Sequence, residues 1–538
     1  MNGFTRANRW WRDETIYQIY PRSFQDSSGN GLGDLAGIRS RLPYLRDLGV
    51  DAIWLSPIFA SPMKDFGYDV ADYCAVDLLF GSMEDFDRLL EEAHGHGLNL
   101  LLDFVPNHTS DQHAWFKESR SSHDNPKRDW YIWKDAGPDG GPPNNWISNF
   151  GGAAWQWDEA TGQYYYHAFL ASQPDLNWRN PEVRAAMYDT MRFWLNKGVD
   201  GFRVDVIWHL IKDEHFRDNP PNPAYTPARP EIDRNLQIHS ADQPEIHQVT
   251  AEMRAVMEEY DDRLLIGEIY LPLERLMHYY GRDGASGVHL PFNFQLIQCP
   301  WRAESVAKIV AEYEAALPPD GWPNWVLSNH DQPRIAARAG ERQARIAAML
   351  LLTLRGTPTI YYGDELAIGD VDIPHERIQD PWAKQEPDAS FNRDKARTPM
   401  QWSAEPHAGF SPAEPWLPLS ADWQARNVAT AEGDRASMLQ LYRSLLQLRR
   451  RHSAFRTGDW RPLEGGSDVF AYERCDENGR FAVLLNFASE PRATPLHSVF
   501  EGGAILLSTD ANRTGTATGP FMLGADEGVV IAQGDSHD

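Results

Sequence analysis

Eight short apolar runs, at residues 15–20, 52–58, 98–105, 201–206, 264–269, 288–292, 325–328 and 357–362, alternate with stretches of helical periodicity. Strands separated by helices cannot pair through tight hairpins. They return side by side in parallel, and eight of them are what a closed barrel requires. The helical stretches carry their own start and stop signals. Asn180-Pro181 supplies a cap and a first-turn proline, the apolar face runs through Val183, Met187, Thr190, Met191, Trp194 and Leu195, and Gly198 ends it. Ser82 with Asp85 three residues later opens a second helix over Phe86, Leu89, Leu90 and Ala93. A last helix is expected at 436–451, with apolar residues at 438, 441, 442, 445 and 448 and Arg449, Arg450 and Arg451 at its C-terminal end, where positive charge complements the helix dipole.

The run 201–206 places Arg203 and Asp205 two residues apart, so both face the same side of the strand. A charged pair on the inward face of a buried strand is costly unless it is used or well paired. Three more acidic strand ends accompany it: Asp103, followed closely by Asn107 and His108, then Glu268, then Asp331. The C-terminal ends of parallel barrel strands converge on one face, so these four groups meet in one pocket. Two carboxyl groups about 5 Å apart are what double-displacement cleavage of a glycosidic bond needs.

The segments 103–108, 201–206, 264–269 and 328–334, in this order, resemble the four signature regions of the alpha-amylase superfamily (glycoside hydrolase family 13), within its alpha-glucosidase and oligo-1,6-glucosidase branch. The resemblance implies an α/β fold: a (β/α)8 TIM barrel from residues 1–108 and 175–456, a domain B inserted after strand 3 at 109–174, and a C-terminal antiparallel β-sandwich at 457–538. The pattern of the chain agrees, since the connection after His108 is too long for a simple loop, and Asn478-Gly479 between two strand-like runs reads as a hairpin. The resemblance also assigns roles. Asp205 is the expected nucleophile and Glu268 the general acid/base, which must stay protonated near neutral pH. Asp331 is the third carboxylate, which grips sugar hydroxyls in the distorted ring of the transition state. Arg203 would hold the nucleophile ionised and aimed. His108 and His330 would hydrogen-bond the glucose on the non-reducing side. Asp65, Tyr68 and Arg393 would close that end of the pocket, so that the enzyme acts from the chain end; the alternative for Arg393 is an ion pair with Asp394 or a loop carboxylate. Val206 matches the residue of relatives that accept α-1,6 bonds. Residues 173–178 and 356–365 match family segments that are read as structural.

The loop Asp26-Ser-Ser-Gly-Asn-Gly-Leu-Gly-Asp34 offers oxygen ligands at Asp26, Ser28, Asn30 and Asp34, with the Leu32 carbonyl as a fifth. Such spacing either wraps a structural Ca2+ or Mg2+, as related glucosidases do, or forms a metal-free turn. Catalysis itself needs no metal or other cofactor. The net charge of −26 argues against nucleic acid or an anionic membrane as partner. No apolar run approaches a membrane span and residues 1–12 do not form a basic-then-apolar leader, so a cytoplasmic enzyme is expected, as monomer or homodimer, acting on small oligosaccharides. Cys74, Cys299 and Cys475 are odd in number and widely spaced, which reads as three reduced thiols. Two other readings compete. A superfamily transglucosidase or isomerase, of sucrose isomerase or trehalose synthase type, shares the glucosyl-enzyme intermediate. A non-catalytic amylase-like ectodomain would carry a membrane anchor and lack the acids, and this chain shows neither feature.

Overall fold

The computed structural model of the protein describes residues 9–281, 284–385 and 392–534; residues 1–8, part of the segment expected to carry no leader, lie outside them. All eight expected runs are parallel strands of one sheet: β1 (Ile16–Ile19), β2 (Ala52–Leu55), β3 (Asn99–Phe104), β4 (Gly201–Val204), β5 (Leu264–Ile269), β6 (Leu290–Asn293), β7 (Asn324–Val326) and β8 (Thr357–Tyr361). Their order, β6-β5-β4-β3-β2-β1-β8-β7, is the sequence order wrapped into a ring. The ring closes between β6 and β7, where Pro291 has no N–H to give. The side chain of Asn324 bridges the seam, accepting from Asn293 N at 3.1 Å and donating to Pro291 O.

Side-chain alternation sorts each strand into an inward and an outward row. Ile16, Ala52, Trp54, Leu101, Leu264, Ile266, Leu290, Phe292 and Val326 fill the barrel's interior. Asp103, Arg203 and Glu268 continue the same inward rows one or two positions further on, toward the C-terminal face. At Gly201 a side chain is impossible: a Cβ there would sit 2.1 Å from Leu264 O, so β4 and β5 approach closely just below the acidic residues.

The outward rows meet the surrounding helices. Pro181–Lys197 begins at Asn180, whose side chain accepts from Glu182 N, and ends at Gly198 with φ 104°; its six buried residues are the six expected. Met83–Gly95 starts with a complete capping box between Ser82 and Asp85. The last helix, Met438–Arg451, starts two residues later than expected, capped by Ser437. Its last turn carries Arg449, Arg450 and Arg451 as expected, and Arg449 does more than place charge there. Arg449 is buried and donates to Phe455 O at 2.6 Å and Gly356 O at 2.7 Å, so it ties the helix to the residues before β8 and after the helix itself. Its function there is hydrogen bonding of orphan carbonyls more than a surface charge on a dipole.

The segment 109–174 holds a small antiparallel sheet, ordered Trp133–Lys134, Gln163–Tyr166, Trp155–Asp158, with an aromatic core of Trp146, Trp155 and Tyr166. Buried Asp175 fastens this segment to the barrel, accepting from Asn107 Nδ2 at 2.8 Å and pairing with Lys212, while Trp178 Nε1 donates to Pro106 O at 2.8 Å. After the last barrel helix, a five-stranded antiparallel sheet and a two-stranded sheet enclose a separate core of Ala482, Leu484, Phe521, Val529 and Ile531. The expected hairpin joins Val469–Asp476 to Gly479–Asn486. The three cysteines are unbridged, and among the described residues no helix is long and apolar enough to cross a membrane.

Candidate active site

Strand ends deliver the charged groups. Asp103 and Glu268 lie within β3 and β5, Asp205 stands one residue past β4, and Asp331 follows β7 in a turn in which Asp331 N donates to Asn329 Oδ1 at 2.9 Å. Arg203, wholly buried, reaches three of the four. Its Nη1 donates to Asp103 Oδ1 at 2.8 Å and Asp205 Oδ1 at 2.7 Å, and its Nη2 lies 2.8 Å from Glu268 Oε2. Asp205 and Glu268 therefore sit on neighbouring nitrogens of one planar group. That spacing belongs to a retaining pair; an inverting pair stands further apart to seat a water.

One guanidinium cannot neutralise three buried carboxylates. Burial raises the pKa of each, and Arg203 pulls each back only in part: Asp103 ends at about 7, and Asp205 and Glu268 also lie above the ordinary carboxylate range. The cluster consequently holds at least one proton near neutral pH. Asp331 also raises Glu268, and the coupled pair Asp205 and Glu268 shares the proton. Asp331 itself behaves in the opposite way. Burial opposes its ionisation, but His330 at 3.2 Å, Arg393 at 3.2 Å and Arg397 at 2.8 Å together outweigh it and hold the group below its usual range.

Val206 connects the two reacting carboxyls through the backbone. It adopts φ 35°, ψ 45°, a left-handed conformation that costs a β-branched residue about 1–3 kcal/mol. The conformation aims its N–H at Glu268 Oε2, 2.8 Å away.

A cavity of about 400 Å³ opens over these groups. Asp65, Tyr68, His108 and Arg393 all line it. Arg393 Nη2 donates to Asp65 Oδ1 at 2.9 Å, and the arginine also binds a loop carboxylate, Asp380, through Nε at 3.0 Å and Nη2 at 2.7 Å. The loop carboxylate is not Asp394, which instead accepts from the amides of Gln379 and Asp380. His330 departs from expectation. It does not border the cavity: its ring stacks on Tyr68 with centroids 5.5 Å apart, Nε2 meets Tyr68 OH at 2.6 Å, and Nδ1 meets Gln18 Nε2 at 2.8 Å. Burial lowers the pKa of His330 to about 3 and of His108 to about 4, so both rings are neutral hydrogen-bonding groups at pH 7.

Several residues of the site were not singled out from the sequence. Arg397 lies in the same motif as Arg393, and that shared motif was its only signal. Gln173, read as structural, donates to Asp65 Oδ2 at 3.2 Å and so holds the pocket wall as well as domain B. His209 lines the cavity with a buried Nδ1 that has no hydrogen-bond partner among the described residues. Asp380 comes from the long segment after β8, where nothing in the local pattern marks it.

The loop expected to wrap a cation is closed on itself. Asp26 Oδ1 accepts from Ser28 N and Gly29 N, its Oδ2 from Gly31 N and Ser411 Oγ, all between 2.6 and 2.8 Å. Asp34 caps the following helix through Gly37 N and accepts from Ser27 N at 3.0 Å, and Asn30 Oδ1 accepts from Leu32 N at 2.8 Å. The carboxylate lone pairs are met by amide and hydroxyl protons, and Ser28 and Asn30 bring no negative charge. This donor set, Asp26, Ser28, Asn30, Leu32 and Asp34, does not fit Ca2+ or Mg2+, which take six or more oxygens at 2.3–2.6 Å or a strict octahedron. The geometry is that of the metal-free turn.

Known proteins share this arrangement. The chain matches the family described as "Alpha amylase, catalytic domain" over residues 18–458. It is 44% identical to a probable alpha-glucosidase of Rhizobium meliloti, over 89% of this chain and 90% of that one. It is 39% identical to an oligo-1,6-glucosidase of Halalkalibacterium halodurans, over 89% and 91%. Among solved structures, the alpha-glucosyl transfer enzyme XgtA superposes with a TM-score of 0.92 at 39% identity, covering 98% of this chain and all of that one. The trehalulose synthase MutB superposes with a TM-score of 0.88 at 35% identity, over 97% of this chain and all of its own. With four acidic strand ends on one barrel face and matches that span nearly its whole length, the chain belongs to the alpha-amylase family, in its alpha-glucosidase and oligo-1,6-glucosidase branch.

Proposed function

We propose that the protein is a retaining, exo-acting alpha-glucosidase that releases terminal non-reducing glucose from short α-linked oligosaccharides, with transglucosylation as a side activity. The observation that carries this is the placement of Asp205 and Glu268 side by side on Arg203. In the first step Asp205 attacks the anomeric carbon as Glu268 gives its proton to the departing glycosidic oxygen. In the second, water gives a proton to Glu268 and its oxygen displaces Asp205, so two inversions restore the α configuration. Arg203 stabilises whichever carboxylate is charged at each stage. Asp331, kept ionised by its two arginines, accepts from sugar hydroxyls, and His209 Nδ1 offers a further hydrogen-bonding group to the bound sugar.

The Asp65–Arg393–Asp380 chain, with the Arg393 guanidinium 4.8 Å from the Phe150 ring centroid, supports action from the chain end, because its ion pairs close the wall against which the terminal glucose rests. Val206 supports acceptance of α-1,6 bonds, with α-1,4 and α-1,3 bonds also handled, since one side chain shifts such a preference by only about 1–3 kcal/mol. Small sugars and a net charge of −26 suit a cytoplasmic enzyme, and no other cofactor is needed for the two steps.

A second reading, an isomerase or transglucosidase, is favoured by the likeness to the trehalulose synthase and the alpha-glucosyl transfer enzyme. A panel of maltose, isomaltose, kojibiose, nigerose, sucrose and trehalose separates the two. Free glucose as main product from isomaltose or maltose supports hydrolysis, whereas rearranged disaccharide from sucrose or maltose in place of glucose establishes the second reading.

A further inference from the structure

The wall of the cavity beyond Glu268 is built from two separate pieces of chain. One is the irregular segment 213–245 between the turn after β4 and the helix Ile246–Met257, which contributes Ile232, Asp233, Gln237 and Ala241; the other follows β5 and contributes Tyr270 and Leu271. Since Glu268 protonates the departing oxygen, the leaving group lies between these two pieces. The first piece is tied to the segment 109–174 through Asn145 and Asn219 but carries little regular structure of its own. It holds one turn of 3-10 helix, Glu231–Arg234, and leaves Leu236 and Ile238 41% and 45% exposed.

The two pieces are joined at Asp242. This residue has φ 51°, a left-handed backbone that aspartate tolerates better than most residues other than glycine. Four ties hold it in place. Asp242 N donates to Trp208 O at 2.7 Å; Arg275 Nη2 donates to the Asp242 carbonyl at 3.0 Å and pairs with its Oδ2; Tyr279 OH donates to Oδ1. Arg275 and Tyr279 both belong to the segment after β5, and Asp242 and Arg275 both line the cavity.

We propose that Asp242 and Arg275 are specificity-determining positioning residues, a latch that sets the width of the leaving-group side of the pocket by fixing segment 213–245 against the segment after β5. The inference deepens the glucosidase reading and depends on it. A latch of this kind acts on substrates with a sugar leaving group and is irrelevant to one whose leaving group ends at the scissile bond.

The test compares kcat/KM for maltose and isomaltose with kcat/KM for α-glucosyl fluoride in the unaltered enzyme and in Arg275→Ala, Arg275→Lys, Asp242→Asn and Asp242→Gly. The ratio of disaccharide to fluoride constants is expected to fall at least fivefold in Arg275→Ala and Asp242→Asn, chiefly through KM for the disaccharide, with Arg275→Lys recovering part of it. Asp242→Gly, whose backbone takes the left-handed conformation without strain, must show the same fall, because it lacks the side-chain ties. An unchanged ratio, including equal losses on both kinds of substrate, would show a merely structural contact and overturn the proposal. Should the unaltered enzyme turn over neither maltose, isomaltose nor the fluoride, the glucosidase reading fails first and takes the latch with it.

Discussion

Arg203 is the residue on which the reacting charges depend. Its planar fork meets Asp103, Asp205 and Glu268 at 2.7–2.8 Å, a geometry that a lysine, with the same charge at a single point, cannot reproduce. The raised pKa of Glu268 makes it a proton donor at pH values where an ordinary glutamate has already ionised. The sign follows directly: activity that needs protonated Glu268 persists above the usual carboxylate range and declines as pH rises through the raised value. Glu268→Gln should cut kcat/KM for a disaccharide by about 10²–10⁴-fold and for α-glucosyl fluoride far less, since fluoride departs with little need of a proton. A similar loss on both substrates would remove Glu268 from the acid role. Asp380 tests the clamp on the terminal sugar. Asp380→Ala leaves the buried Arg393 short of a partner, at a cost of about 1–3 kcal/mol, and should raise KM for maltose roughly tenfold or more; an unaltered KM would mean that Arg393 holds its position without it.

At the scale of elements, the barrel's two ends make opposite use of charge. On the face where the strands begin, Glu14 is pushed up to about 8 by burial and by Asp51, against a hydrogen bond from Asn99 Nδ2 at 3.0 Å. A carboxyl whose folded value exceeds its unfolded one stabilises the fold below the unfolded value, and that contribution is lost as pH rises through the folded one. Glu14→Gln should therefore raise Tm by a few degrees at pH 8 and by much less at pH 5; calorimetry at the two pH values decides, and an equal shift at both would contradict the assignment.

The eight strands and the capped helices were legible in the sequence because each obeys a local rule: short apolar runs, a box at Ser82 and Asp85, a glycine at 198. Asp380, Arg397 and Gln173 were not, because their partners lie in other elements and only the closed ring brings them together. Arg449 and the loop at Asp26 show why local patterns also mislead. A basic helix end reads as surface charge until the neighbouring carbonyls are in place, and alternate oxygen-bearing residues read as a cation cradle until their own amides are seen to occupy them. The seam at Asn324 could not have been foreseen, since it answers a missing donor at Pro291 one strand away.

Across the whole molecule, the barrel supplies the acids, the segment at 109–174 closes the pocket through Gln173 and Phe150, and the C-terminal sheets pack against the outer helices, with Tyr472 OH meeting Thr353 Oγ1 at 2.5 Å. None of these contacts calls for an ion. Dialysis against a chelator should leave both Tm and disaccharide hydrolysis unchanged, whereas a fall in Tm that Ca2+ or Mg2+ reverses would restore the cation to the loop at Asp26. The central claim is that Asp205 and Glu268 act across one sugar from a retaining separation. Proton NMR of the anomeric signal during the first minutes of maltose or isomaltose hydrolysis tests it most directly: the glucose released from the non-reducing end should appear as the α anomer before mutarotation, and initial appearance of the β anomer would contradict the account.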